Sequence, residues 1–206
     1  GSVGFTREMI KDLLSVPEFR TNMELSFTDI NEKNLDMAVK LIQRDIDANN
    51  IDIKISATTD RREAFKGAKY VFNFVRVGGL DAFKYDVEIP LKYGIDQCVG
   101  DTLGPGGIMY GQRGIPEILD FCKDIREVAH SDCIMLNYAN PNAMVTWACN
   151  KYGKVPTIGL CHGVQNGHKL IAEALNIPEK ELDIVCVGIN HQTWYTQIRH
   201  KGKDVS

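Results

Sequence analysis

The sequence predicts an α/β protein built on a doubly wound, mostly parallel sheet, with an antiparallel region beginning near its C-terminus. Three observations predict it. Short apolar runs alternate with amphipathic, helix-length segments in the order β, α, β, α, β, β, α, β, α, β, as parallel strands joined by crossover helices do. The most distinctive polar and metal-ligating residues fall just past the carboxyl ends of those runs, where open α/β sheets place their sites. After Trp194 the pattern changes: Tyr195 to Asp204 alternates and turns at Lys201-Gly202, the start of a hairpin.

Gly1-Ser2-Val3-Gly4-Phe5-Thr6 leads into an amphipathic helix through Val16, with Met9, Ile10, Leu13 and Leu14 on one face. A strand, Met23 to Thr28, closes on Asp29. A glycine turn, a helix, a second strand and an acid at its tip form the later part of a dinucleotide-binding βαβ unit. Its glycines let the backbone approach a pyrophosphate, and its acid takes ribose hydroxyls. The first strand and first glycine of that unit are expected to be missing. Gly1-Ser2 is either an extraneous scar or the remainder of that turn, and Asp29 either meets a ribose or ends the strand as a turn residue or helix cap.

Asn31 to Asn50 reads as a helix on the stripe Leu35, Ala38, Val39, Ile42 and Ile46, crossing to a strand at Ile53 to Ala57. Asp60 to Phe65 makes a short helix whose Arg61-Arg62 pair reads as a solvated face. Tyr70 to Val75 is a β-prone run, and Arg76-Val77-Gly78-Gly79 is a loop where glycine lets the backbone meet a cofactor. A helix at Asp86 to Lys92 is expected to break near Pro90, ahead of a glycine-rich loop, Val99 to Gly107. The helix Ile108 to Ala129 carries Arg113 in its early turns, where a cation opposes the dipole preference. Arg113 is therefore either simply exposed or a grip on a substrate oxygen. Cys133 to Asn137 is a core strand. Asn140-Pro141-Asn142 turns it into a helix from Ala143 to Lys151, and the two asparagines either cap that helix or face the cleft and bind sugar hydroxyls or a nicotinamide amide.

Composition limits the function. A net charge of -3 provides no electrostatic footprint for nucleic acid or an anionic membrane. Six cysteines in apolar or helical settings, with no secretory run ahead of them, point to reduced thiols in a cytoplasm. No apolar run reaches the length of a membrane span.

Two runs, Thr157 to Leu160 and Ile184 to Ile189, read as buried strands, and each is followed by a transition-metal donor, Cys161 and His191. Spacing alone leaves two readings open: a buried thiol with a satisfied imidazole, or a thiolate and an imidazole converging on a divalent metal with positions left for substrate oxygens. The surrounding words favour the second. Cys161-His162-Gly-Val-Gln165 followed by Gly188-Ile-Asn-His191-Gln-Thr-Trp194 resembles the metal-site signature of glycoside hydrolase family 4, the NAD- and metal-dependent glycosidases. Asp101-Thr-Leu-Gly-Pro-Gly-Gly107 and Gly1-Ser-Val-Gly-Phe5 are similar to further strings of that family. The resemblance covers nearly the whole chain but only the N-terminal part of such an enzyme.

That resemblance implies a Rossmann-like NAD-binding domain over residues 1–190 and the beginning of a substrate domain over 191–206. It implies NAD contacts at Gly1, Ser2, Val3, Asp29, Val77 and Gly78, and a metal, usually manganese, on Cys161 and His191. Asn140 would hold the substrate beside both, and the tyrosine base is expected beyond Ser206. In such enzymes a sugar C3 is oxidised, the C2 proton is lost, the leaving group is eliminated, and water and hydride return. His162 resembles the branch acting on unphosphorylated α-galactosides, where it serves either as general acid or as a hydrogen-bonding partner of the substrate. The family implies a homo-oligomer, a dimer or a tetramer. Two alternatives remain open: a 2-hydroxy acid dehydrogenase of the same superfamily, and a nucleotide-binding fragment inactive alone for want of its central strand.

Overall fold

A computed structural model describes residues 3–21 and 23–206, so the readings of Gly1 and Ser2 lie outside the described residues. The N-terminal unit contains α1 (Val3–Ser15), β1 (Glu24–Thr28), α2 (Glu32–Ala48) and β2 (Lys54–Thr58), with β1 and β2 paired in parallel. Asn31 starts α2 because its side chain accepts the Asn34 amide at 3.0 Å, an N-cap. The expected stripe then turns inward: Leu35, Ala38, Ile42 and Ile46 are buried, and Leu14 of α1 closes over Ile42 and Ile46, with Phe27 and Ile55 beneath.

The second parallel sheet orders β3 (Tyr70–Asn73), β4 (Ile134–Asn137) and β5 (Thr157–Gly159) side by side. Its core is Val71 and Met135 packed under α5 (Gly104–Val128) and α6 (Asn142–Ala148) through Ile118, Cys122, Ile125 and Val145. The parallel strands therefore fall in two sheets, and among the described residues β1 and β3 are not paired with each other. A π-helical turn, Cys149–Gly153, ends α6 and brings Cys149 into that core beside Cys122, both fully buried thiols that pack as small apolar groups.

Three sequence expectations are corrected here. The helix expected at Asp86 to Lys92 is α4 (Gly79–Leu91), which starts earlier and continues through Pro90. Proline deprives the Asp86 carbonyl of its helical N–H; the Gln97 side chain donates to that carbonyl instead, at 2.9 Å. Helix α5 likewise begins inside the glycine-rich loop, at Gly104. Glycine is needed at 106 because a Cβ there would press on the Gly100 carbonyl and come within 2.7 Å of that of Asp86. The third concerns Arg61 and Arg62 on α3 (Arg61–Phe65), which stay partly solvated but are tied to α5. Both guanidiniums reach Asp124 of α5 at 2.6 Å, and Arg62 also reaches Glu127.

Asp124 is nearly buried, and burial opposes its ionisation, but the hydrogen bonds from Arg61 and Arg62 outweigh that and hold its pKa below the ordinary value. A depressed pKa in the folded state means the stabilisation is complete above the unfolded value, about 3.9, and is lost as pH falls through the folded one. Asp124→Asn is expected to destabilise the fold by roughly 2 kcal/mol at neutral pH. In thermal melts, the gap from the parent should close as pH falls below about 4.

After α7 (Gly163–Leu175) the chain forms an antiparallel sheet of β6 (Leu182–Ile189), β7 (Gln192–His200) and β8 (Lys203–Asp204). The run Ile184 to Ile189 is thus no buried parallel strand. It pairs antiparallel with β7, from Leu182↔His200 to Ile189↔Gln192, and Val185, Val187 and Ile189 are exposed. The antiparallel region begins at Leu182, ahead of the hairpin expected from Tyr195, because a two-residue link can join only antiparallel neighbours.

Candidate active site

The carboxyl ends of β1, β3, β4 and β5 carry Asp29, Val77 with Gly78, Asn140 with Asn142, and Cys161 with His162. Leu160 extends β5 by donating to the Asn137 carbonyl at 2.9 Å, which sets Cys161 just past the sheet. His191 arrives from the other side, in the Asn190-His191 turn between β6 and β7, where Asn190 adopts φ 44°. The Cys161 Sγ and His191 Nε2 stand 3.6 Å apart, both residues exposed. Gly163 permits the approach: a Cβ there would lie 3.1 Å from His191 Nδ1. Its amide faces the Cys161 sulfur at 3.5 Å.

A shared cation fits this pair. A thiolate sulfur and an imidazole nitrogen 3.6 Å apart stand close enough to bind one divalent cation. Among the described residues no group of three His, Cys, Asp or Glu forms a fuller cage. Two protein donors and open positions suit a metal that also takes oxygens from a ligand. The His162 ring lies edge-on to that of His191 with centroids 6.0 Å apart, exposed at the start of α7. The α7–β7 contact behind it is close: the Tyr195 hydroxyl occupies the space a Cβ on Gly167 would need.

The other expected contacts divide. Val3 opens α1, half-buried, and Asp29 accepts the Asn31 amide at 2.8 Å, the turn role. Gly78 sits at φ 84° as the cap of α4, where a Cβ would meet that of Ala82 at 2.5 Å and Arg113 Nε at 3.0 Å. Asn140 donates its amide to Asp101 Oδ2 at 3.1 Å. Two expectations are corrected. Asn142 gives its amide protons to the carbonyls of Asn137 and Leu160, at 2.9 and 3.1 Å, so it ties the ends of β4 and β5 together and has none left for a ligand. Arg113 is not simply exposed; its guanidinium is committed to the protein. Its fork closes on the buried Asp86, at 3.0 and 2.5 Å, and its Nε donates to the Val77 carbonyl at 3.1 Å. A carboxylate at 2% exposure needs that charge beside it.

Asp101 and Arg76, to which the sequence by itself assigns no role, join Asn140 beyond the carboxyl ends of β3 and β4. The signal was present in both: a charge just after β3, and an acid inside an otherwise glycine-rich loop.

The family model described as "Family 4 glycosyl hydrolase" matches residues 1–177. The chain belongs to glycosyl hydrolase family 4. Among its relatives, an alpha-galactosidase of Rhizobium meliloti is 57% identical over 205 residues, which is 100% of this chain and 42% of that protein. An alpha-galactosidase of Bacillus subtilis is 35% identical over 206 residues, again 100% of this chain and 47% of that protein. The family 4 chain thus spans less than half the length of these relatives. A 6-phospho-beta-glucosidase from Thermotoga maritima, solved with manganese, NAD+ and glucose-6-phosphate, superposes with TM-score 0.85 at 30% identity, over 99% of this chain and 49% of that one. A Plasmodium falciparum malate dehydrogenase shares the Rossmann-like fold alone, at TM-score 0.64 and 12% identity over 95% of this chain and 55% of that one.

Proposed function

We propose that this family 4 chain carries the nucleotide and metal half of an NAD- and manganese-dependent α-galactosidase. The observation that carries the reading is the Cys161–His191 pair, 3.6 Å apart at the mouth of the parallel sheet. Its relatives in Rhizobium meliloti and Bacillus subtilis support the choice of sugar. When bound, NAD supplies a reversible hydride acceptor and the metal a Lewis acid for a sugar oxygen. Cys161 as thiolate and His191 through Nε2 would hold the metal, and Asn140 the substrate. Val3, Asp29 and the Val77–Gly78 turn, with Gly1 and Ser2, would line the cofactor. Arg113 serves that turn indirectly, by fixing the Val77 carbonyl. His162 would hydrogen-bond the substrate beside the metal pair. The division into a nucleotide-binding part and a following substrate part, a homo-oligomeric state and a cytoplasmic location complete the proposal. Six free thiols support the last. Among the described residues no helix is long and apolar enough to cross a membrane.

Release of nitrophenol from a nitrophenyl α-galactoside tests the reading. Turnover should require NAD and vanish with a chelator, and Mn2+ should restore it; hydrolysis indifferent to chelation would refute it. His162→Gln is expected to lower kcat/KM about tenfold, the worth of one substrate hydrogen bond, without moving the pH profile. A profile that loses its alkaline limb would make His162 the general acid instead.

A further inference from the structure

The buried carboxylate of Asp101, to which the proposed chemistry gives no role, is the hub of a polar cluster that includes Asn140. Its Oδ2 accepts from Arg76 Nη2 at 2.8 Å and from Asn140 Nδ2 at 3.1 Å, and its Oδ1 from the Thr102 hydroxyl at 3.0 Å. Arg76 is held between two rings, 4.8 Å from the centroid of Phe83 and 5.0 Å from that of Tyr110. Its Nη1 is buried with no partner. An interior donor left unpaired is costly, so stability alone does not explain an arginine aimed in this way.

We propose that Asp101 is a positioning residue, which fixes the side-chain amide of Asn140 so that its oxygen, and not its NH2, meets the substrate. An ionised carboxylate offers only acceptors. The Asn140 amide must therefore turn its NH2 toward Asp101, and among the described residues nothing else engages its Oδ1. Burial opposes ionisation of Asp101, but the hydrogen bonds from Arg76, Asn140 and Thr102 outweigh it and hold the carboxyl below its ordinary range. Asn140 then accepts from a sugar hydroxyl and discriminates against a galactoside in which that hydroxyl is missing or replaced by an acceptor. This deepens the proposed function and rests on Asn140 being a substrate residue.

The test combines a kinetic cycle with a spectroscopic readout. Asp101→Asn, which can present either an oxygen or an NH2 to Asn140, and Asn140→Ala should each lower kcat/KM for the galactoside about tenfold, the worth of one substrate hydrogen bond. The double variant should be no worse than Asn140→Ala, within about twofold, because Asp101 acts through Asn140. Losses that multiply would overturn the proposal. Independently, the Nδ2 protons of Asn140 in the unaltered protein should exchange slowly in 15N-resolved NMR and lose that protection in Asp101→Asn. Exchange as fast as that of an exposed amide would overturn it without any variant. A protein that hydrolyses no galactoside sinks the functional reading, and the amide resonances then still decide whether Asp101 aims Asn140.

Discussion

Cys161→Ala is expected to reduce metal-dependent turnover about a thousandfold or more, since a bound Lewis acid supplies several kcal/mol of transition-state stabilisation and each 1.4 kcal/mol is a factor of ten. Only two donors meet at the site, Cys161 and His191, and no third His, Cys, Asp or Glu completes a group of three among the described residues. The loss of the sulfur therefore leaves a lone imidazole, which holds a divalent ion poorly. The fold should not suffer. Cys161 is exposed, unlike the buried Cys122, Cys133 and Cys149, so little apolar area is lost with its sulfur. The paired measurement is Mn2+ binding by electron paramagnetic resonance alongside a thermal melt. An unchanged melt with metal binding abolished is the expected result; retained binding would remove Cys161 from the metal's ligands.

The second large effect concerns stability. Asp86→Ala should cost about 3 kcal/mol, the lower range for breaking a buried ion pair by removing one partner. The carboxylate is 2% exposed and takes both arms of the Arg113 fork. That pair fastens α4 to α5, and Arg113 Nε fixes the Val77 carbonyl while its guanidinium lies 5.3 Å from the Tyr110 ring. With Asp86 gone, the guanidinium keeps its charge and loses its counter-ion. Denaturant unfolding should show a lower midpoint at unchanged slope. Removing both partners, as Asp86→Ala with Arg113→Met, should recover part of the loss, because no unpaired charge then stays under the Val77–Gly78 turn.

These two sites differ in how far they could be read beforehand. Cys161 and His191 were legible through the words around them, which are specific; their spacing alone left a buried thiol and a satisfied imidazole open. Arg113 was visible as a misplaced cation near a helix start, but its partner Asp86 is 27 positions away on another helix. Asn142 looked like Asn140, and only the carbonyls of Asn137 and Leu160 separate a clamp from a ligand. Strand β6 is apolar on both faces, so its composition suggested a strand covered on both sides; the short Asn190-His191 link was the local sign that it pairs backwards with β7.

The amino-acid order by itself determined which segments are helix and strand, where several of the helices begin, and which strand ends carry the candidate chemistry. Those properties depend on periodicity and capping within a few residues of each position. Only the tertiary structure decided the two-sheet arrangement, the pairing of Arg61 with Asp124 across 63 positions and of Asp101 with Asn140 across 39. Buried polar groups must find partners wherever packing brings them, and that is a property of the assembled chain.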